Sequence, residues 1–175
     1  MTQEAVRRRR TFDAEEQTLR RLARATKQGV PEKPLDALQQ VTDMARDMTK
    51  SLYAALTVTG EGDNVEGFVV SGLTPEDERL LKAPPQAHGP LGTMRKDGRA
   101  VRIDELGEDA TAFGFPPKHP EMKTLLGVPI WVGTTLRGAL YVTDRDGGKP
   151  FRDRDETALR VLARHAGNII ETRWY

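Results

Sequence analysis

Two apolar runs joined by a short turn constrain the fold of this 175-residue chain more than any other feature. The runs cover Leu125–Val132 and residues 136–142, and Gly133-Thr134-Thr135 stands between them. Short runs rich in β-branched and apolar residues on either side of a glycine-containing turn are typical of two consecutive antiparallel strands. The sequence therefore predicts a β-hairpin here, directly after a proline-rich stretch that contains one histidine.

The rest of the chain alternates between helical and extended patterns. Apolar residues at helical spacing predict a helix that buries one face, and they are Leu35, Leu38, Val41, Ala45, Met48 and Leu52. Residues 53–59 and Val65–Ser71 predict a first hairpin, and residues 99–103 predict one more strand. Thr74 and Pro75 are typical of a helix start.

The two ends of the chain differ in character. We expect residues 1–12, which include four consecutive arginines, to form a disordered basic arm, and Asp13 with Glu16 to begin a short helix. At the other end, Asp153 and Glu156 have the spacing of a capping box. The long helix that they open buries six apolar residues, Leu159, Leu162, Ala163, Ala166, Ile169 and Ile170.

This order of elements lacks the alternation of strand and helix that a parallel sheet requires, and it predicts an α+β domain with a central antiparallel sheet flanked by helices. We assign residues 1–33 to the basic arm and its short helix, and residues 34–175 to the compact domain. The connection over residues 104–124 is the longest in the chain, and a connection of that length is often functional.

Composition excludes several classes of protein. The chain has no cysteine, which removes disulfides, thiolate metal sites and thiol nucleophiles. It has neither a secretory signal nor an apolar stretch long enough to span a membrane, so we expect a cytoplasmic protein. The formal net charge is +1, and four arginines in one arm are insufficient reason to assign a nucleic-acid or membrane role.

Several of these residues carry a resemblance to a known family. The order Leu126-Gly-Val-Pro-Ile, then Gly138-Ala-Leu-Tyr-Val-Thr, then Phe151 and Asp155-Glu156, and finally Ala166-Gly167 resembles the carboxyl half of a GAF domain, a small-molecule sensor module. The resemblance implies the GAF fold, a central antiparallel sheet flanked by helices.

Within that family the chain resembles the haem-binding GAF domain of actinobacterial dormancy-type oxygen and redox sensor histidine kinases. The resemblance rests on Gly114-Phe-Pro-Pro-Lys-His-Pro-Glu-Met122. It implies haem b as cofactor, with His119 as the proximal iron ligand and Tyr141 as the distal residue. Apolar walls are then expected from five further residues, Phe68, Leu91, Phe113, Phe115 and Met122.

The chemistry of such a site is consistent with these residue types. A neutral imidazole is a common metal ligand, and a haem held by one histidine keeps its other axial position open for a diatomic gas. Prolines on both sides of His119 would stiffen the loop, so that less entropy is lost when a cofactor enters. We therefore expect a haem-based sensor of oxygen, nitric oxide, carbon monoxide or redox state that signals through its terminal helices as a homodimer.

Other functions remain open at this point. The main alternative is a haem-free GAF module that binds another small molecule or pairs with partner proteins. Thr57 and Thr59 stand where the haem-binding family has acidic and histidine side chains, and Lys118 stands beside the histidine, so gas selectivity does not carry over.

An enzyme is not expected, because no catalytic constellation stands out. The chain could be the sensor portion of a histidine kinase or a partner of a kinase or response regulator. His88 and His165 are expected to be surface or helix residues rather than ligands.

Overall fold

The computed structural model describes residues 2–61, 64–76, 98–106 and 122–174. These residues form three helices and five strands. In chain order the elements are α1 (Gln3–Lys27), α2 (Pro34–Thr49), β1 (Ser51–Thr59), β2 (Val65–Ser71), β3 (Val101–Ile103), β4 (Leu125–Val132), β5 (Thr135–Arg145) and α3 (Asp153–Arg173).

The five strands form one sheet in the order β2-β1-β5-β4-β3, and every neighbouring pair is antiparallel. Both predicted hairpins are confirmed. The turn between β4 and β5 is Gly133-Thr134, and Gly133 has a φ of +59°, a left-handed conformation that glycine adopts without strain. Strand β5 extends to Arg145, three residues beyond the predicted run, because it pairs with β1 along that whole length.

Helices α2 and α3 cover one face of the sheet, which we call the helix face. Alternate residues of the central strands point to it: Ala54, Leu56 and Val58 from β1, Leu126, Val128 and Ile130 from β4, and Leu140 and Val142 from β5. Helix α3 lies close to β4, since a Cβ atom on Gly167 would sit 2.4 Å from the Trp131 carbonyl oxygen. The absence of a side chain at Gly167 therefore permits the close packing of helix on sheet.

The prediction of a disordered arm over residues 1–12 was wrong, and so was the assignment of Asp13 as a helix cap. Helix α1 begins at Gln3, and the hydroxyl of Thr2 accepts a hydrogen bond of 3.1 Å from the Ala5 amide. An ion pair between Arg7 and Asp153, with an N to O distance of 3.4 Å, joins the start of α1 to the start of α3. The helix is further held by burial of Ala14, Thr18 and Leu22.

Leu52 does not belong to the helix that its spacing predicted. Helix α2 ends at Thr49, and Lys50 adopts a left-handed conformation with a φ of +52° that turns the chain into β1. Leu52 is then the second residue of a strand, and 47% of its surface is exposed. The spacing was misleading because Leu52 lies four residues after Met48, as the next residue of a helical stripe would, although it belongs to the following strand.

The capping box of α3 is shifted by one residue from the prediction. Arg152 is the N-cap, and the carboxylate of Asp155 accepts hydrogen bonds from the Arg152 backbone amide at 2.8 Å and from its Nε at 3.1 Å. Glu156 instead faces Arg102 and Arg160. Asp155 is only 2% exposed, so its carboxylate depends on these partners for compensation of its lost hydration.

This difference gives a test of the cap. Replacing Asp155 by Ala removes the acceptor of the Arg152 amide and should lower the free energy of unfolding by about 1–2 kcal/mol, the usual cost of a lost N-cap interaction. Glu156→Ala, one residue along, serves as the matched control and should change stability by less than about 0.5 kcal/mol, because its ion pairs are exposed. Urea unfolding measures both, and an equal loss in the two variants would contradict this assignment.

Candidate functional site

The sheet face turned away from α2 and α3, which we call the opposite face, carries a second apolar cluster. Its buried members are Ala55, Leu106, Met122, Leu125, Ala139 and Tyr141, and Phe68, Val70, Val101 and Ile103 pack against them. Three of the residues expected at the site, Phe68, Met122 and Tyr141, therefore belong to one cluster. They come from β2, from the residues that precede β4, and from β5.

Tyr141 lies in the middle of the opposite face among small residues. In the register of the sheet it is paired with Ala55 of β1 on one side and with Gly127 of β4 on the other. Ala139, two residues earlier on β5, faces the same way and is paired with Thr57. Tyr141 is thus the only large side chain among these five described positions, and its ring is flanked by small neighbours.

The phenol of Tyr141 is 3% exposed. Burial raises the pKa of Tyr141 far above its usual range, because the phenolate would lose its hydration. The group therefore stays protonated at any physiological pH. The Tyr141 hydroxyl is therefore able to donate a hydrogen bond.

Met122 is anchored from the end of β5. The Asp144 carboxylate is buried, and its Oδ1 accepts hydrogen bonds from the amides of Lys123 at 2.6 Å and Thr124 at 3.0 Å. The Asp144 amide in turn donates to the Thr124 carbonyl at 3.1 Å. These bonds determine where the chain enters β4, whose first residue, Leu125, lies six residues after His119.

The remaining expected site residues lie outside the described part of the chain. They are His119, the expected iron ligand, together with Leu91, Phe113 and Phe115. His88 also lies there. The described residues bring together Tyr141, Phe68 and Met122, while the histidine that the resemblance assigns to iron stays a prediction.

His165 is the one histidine within the described residues, and it lies on α3, away from the opposite face. It lines a cavity of about 190 Å³ between the three helices, with Leu22 of α1 and Gln40 of α2 among its neighbours. Partial burial lowers the pKa of His165, because the imidazolium is less well solvated there. Across the described ranges no group of three or more histidine, aspartate or glutamate side chains could hold a metal ion.

Several residues of this face were not singled out by sequence reasoning. Ala55, Gly127 and Ala139 surround Tyr141, and Asp144 anchors the chain next to Met122. Only the pairing register shows that the three small residues are neighbours. A signal for Asp144 was available, since an aspartate at the end of a strand often accepts bonds from nearby amides. Thr57 and Thr59, noted as departures from the haem-binding family, are both buried on this face.

A chain of polar contacts joins the edge of the opposite face to the end of α3. Glu66 lies two residues before Phe68 on β2, and its carboxylate accepts a hydrogen bond of 2.7 Å from the indole of Trp174. Arg137 lies 3.6 Å from the same carboxylate oxygen, and its Nε donates to the Thr59 carbonyl at 2.9 Å. The exit of α3 is thus fastened to strands that carry the site.

None of the helices within the described ranges combines the length and the apolar character needed to cross a membrane. The longest, α1, has charged residues along its whole length.

Several solved structures have the same fold. The GAF domain of an Acinetobacter phosphoenolpyruvate-protein phosphotransferase matches with a TM-score of 0.68 and 18% identity, over 98% of this chain and 95% of that one. The GAF domain of the corresponding Coxiella burnetii protein matches with a TM-score of 0.68 and 16% identity, over 92% of each chain. The GAF domain of the cyanobacteriochrome TePixJ matches with a TM-score of 0.63 and 12% identity, over 81% of this chain and 91% of that one.

At these identities the solved structures show the fold alone. The sequence model of the GAF domain matches residues 33–171, which is most of the chain. The five-stranded antiparallel sheet with its flanking helices is therefore a GAF fold, and the chain belongs to the GAF domain family.

Proposed function

We propose that this GAF domain is a haem-based sensor of a diatomic gas or of redox state, with haem b held against the opposite face and His119 as its iron ligand. The observation that carries the proposal is the position of Tyr141. A fully protonated phenol stands there among small residues on an apolar face, at the place where the family resemblance puts the distal residue. The proposal treats the chain as a sensor rather than an enzyme.

The residues of the opposite face fit a flat, apolar group. Ala55, Gly127 and Ala139 leave little side chain on either side of Tyr141, so a planar ring system could approach the strands beside it. Phe68 and Met122 supply apolar contacts at its margins. The donor set is compatible as well, because a single imidazole is a common axial ligand of haem iron.

Each of these residues has a definite task in this proposal. If haem is bound, His119 would hold it and the haem would supply an iron that takes up a diatomic gas. Tyr141 would donate a hydrogen bond toward that gas, and its ring would help to exclude bulk water. Asp144 positions the backbone at Lys123 and Thr124, and through it the segment that carries His119.

The polar contacts at the edge of the sheet supply a route for the signal. A ligand that displaces Phe68 or β2 would also displace Glu66, two residues away on the same strand, and Glu66 holds the indole of Trp174 at the end of α3. The ligand state would thereby bias the terminal helix, which we propose connects to a kinase or another signalling partner.

A second function is favoured by one specific observation. Met122, Leu125 and Tyr141 are buried by the protein's own residues, so the cluster on the opposite face has the character of an ordinary apolar core. This supports a haem-free GAF module that binds another small molecule or acts by interaction alone. Absorption spectra distinguish the two functions, because only the first requires a bound haem.

The test of iron ligation compares the three histidines. Protein expressed with a haem supply should show a Soret band that shifts on reduction and again under carbon monoxide. His119→Ala should lose most of the bound haem, because the only protein bond to iron is removed. His165→Ala, on the interhelical cavity, and His88→Ala should keep the spectrum of the parent protein.

A folded but colourless parent protein would favour the haem-free function. Retention of the same spectrum by the His119→Ala variant would contradict the assignment of His119.

The role of Tyr141 has a kinetic test. Tyr141→Phe keeps the ring and removes the hydroxyl, so haem content should be unchanged. Loss of a hydrogen bond to a partly charged ligand costs about 1.5–3 kcal/mol, which corresponds to oxygen dissociation roughly 10- to 150-fold faster. Carbon monoxide, a much weaker acceptor, should dissociate at nearly the same rate as before. Equal changes for the two gases, measured by stopped flow, would contradict a donor role.

Burial of Tyr141 also predicts a pH dependence. In the unfolded chain this phenol ionises near pH 10, at about its ordinary pKa, whereas in the folded chain it stays protonated to higher pH. Above about pH 10 the unfolded state therefore binds fewer protons than the folded state, and stability should fall as the pH rises.

Tyr141→Phe should show a shallower fall of stability between about pH 10 and pH 11.5, measured by urea unfolding at each pH. Identical slopes for the variant and the parent would show that the phenol already ionises in the folded protein.

A further inference from the structure

Helix α1 carries an exposed stripe that does not take part in packing against the rest of the chain. Its apolar members are Ala5, Phe12 and Leu19, at seven-residue intervals along one side of the helix. Phe12 is 66% exposed and Leu19 is 49% exposed. The buried residues of α1, which include Ala14, Thr18 and Leu22, lie on its other side. A stripe at seven-residue spacing is the pattern of a helix that packs against another helix.

The charges beside this stripe are arranged symmetrically about Phe12. Arg8 and Arg9 stand on one side of it along the chain, and Glu15 and Glu16 stand on the other. The midpoint between the arginine pair and the glutamate pair falls on position 12. The two ends of the stripe differ in side-chain size. Ala5, a small residue, lies seven residues before Phe12, and Leu19, a large one, lies seven residues after it.

From this pattern we infer that α1 is an interface for a second copy of this chain, and that the two α1 helices pack antiparallel with Phe12 facing Phe12 of the second copy. This orientation places the arginine pair of each copy opposite the glutamate pair of the other. It also places Ala5 opposite Leu19, a small residue against a large one. Such an interface has the same patch on both copies and closes with twofold symmetry.

The parallel orientation is disfavoured by the same charges. In a parallel pair the arginines of both copies would lie at one height and the glutamates at another, so like charges would meet twice. In an antiparallel pair, arginines meet glutamates at both places, so both contacts are attractive. The contacts that the same side chains make within α1, Arg8 with Glu4 at 2.5 Å and Arg20 with Glu16 at 2.6 Å, are between exposed groups and can be exchanged at little cost.

The helix is long enough for this role. Its 25 residues extend about 37 Å, so the pairing can use about two and a half turns on either side of Phe12. Because α1 also packs against α3, the pairing would connect the terminal helices of two copies. The inference concerns α1 alone and does not depend on the ligand of the opposite face.

The first experiment measures mass in solution. The parent chain should sediment as a dimer, and Phe12→Ser or Leu19→Ser should weaken the dimer at least tenfold. Leu52→Ser is the matched control, since Leu52 has nearly the same exposure as Leu19 but lies on β1. A monomeric parent, or an equal effect of Leu52→Ser, would overturn the inference.

Cysteine cross-linking distinguishes the two orientations. Because the chain has no natural cysteine, only the introduced thiols can form disulfides. Ala5→Cys and Leu19→Cys chains are oxidised separately and as an equal mixture, and circular dichroism confirms that each is folded. The antiparallel interface predicts a disulfide-linked dimer mainly in the mixture, because position 5 faces position 19. Efficient cross-linking of each variant with itself would show a parallel pair, and no cross-linking in any sample would show that α1 is not the interface; either result overturns the inference.

Discussion

Strand β5 is the element on which the rest of this structure depends, because it is buried on both sides. Every residue from Gly138 to Asp144 is buried. Its alternate side chains therefore have to serve two different cores: Leu140 and Val142 enter the core under α2 and α3, while Ala139 and Tyr141 enter the cluster on the opposite face. Since successive side chains point to opposite faces, a shift of one residue in register would exchange the two sets.

This constraint links the fold to the proposed function. Tyr141 is held on the opposite face by the same register that packs Leu140 against the helices, so its position does not depend on a flexible loop. Gly138 at the start of this buried run is also constrained, since a Cβ atom there would sit 2.0 Å from the Thr57 carbonyl oxygen. A donor on a rigid central strand is well suited to distinguish between ligands of different polarity. The parts that must move in signalling lie instead at the sheet edge and on the terminal helices.

Much of the fold could be predicted from the sequence because the periodic patterns were strong. The boundaries of β2 and β4 were predicted to the residue, and α3 was recognised from its buried stripe. A short N-terminal helix was predicted from Asp13, but its first ten residues were missed because the arginines suggested a solvated arm. Charged residues at four-residue spacing, such as Glu4 with Arg8, in fact support a helix. Helix α1 packs on the rest of the chain through only three buried residues, and this packing could not be recognised without the tertiary structure.

The candidate site was predictable only in part. Phe68, Met122 and Tyr141 were placed together through a family resemblance, and the structure shows them in one cluster. The small residues beside Tyr141 could not be recognised, because they come from strands far apart in sequence and become neighbours only through the sheet register. Asp144 was also missed, although its position at the end of a strand was a signal that it accepts hydrogen bonds from nearby amides. The role of His119 stays a prediction.

The most direct test of a ligand on the opposite face follows the methionine methyl groups by NMR as ferric haem is added. Met122 belongs to the cluster with Tyr141, whereas Met44 lies in the core on the helix face and serves as an internal control. The methyl signal of Met122 should shift or broaden in proportion to bound haem, while that of Met44 stays in place. An unchanged Met122 signal at saturating haem, or equal changes at both residues, would contradict a haem site on this face.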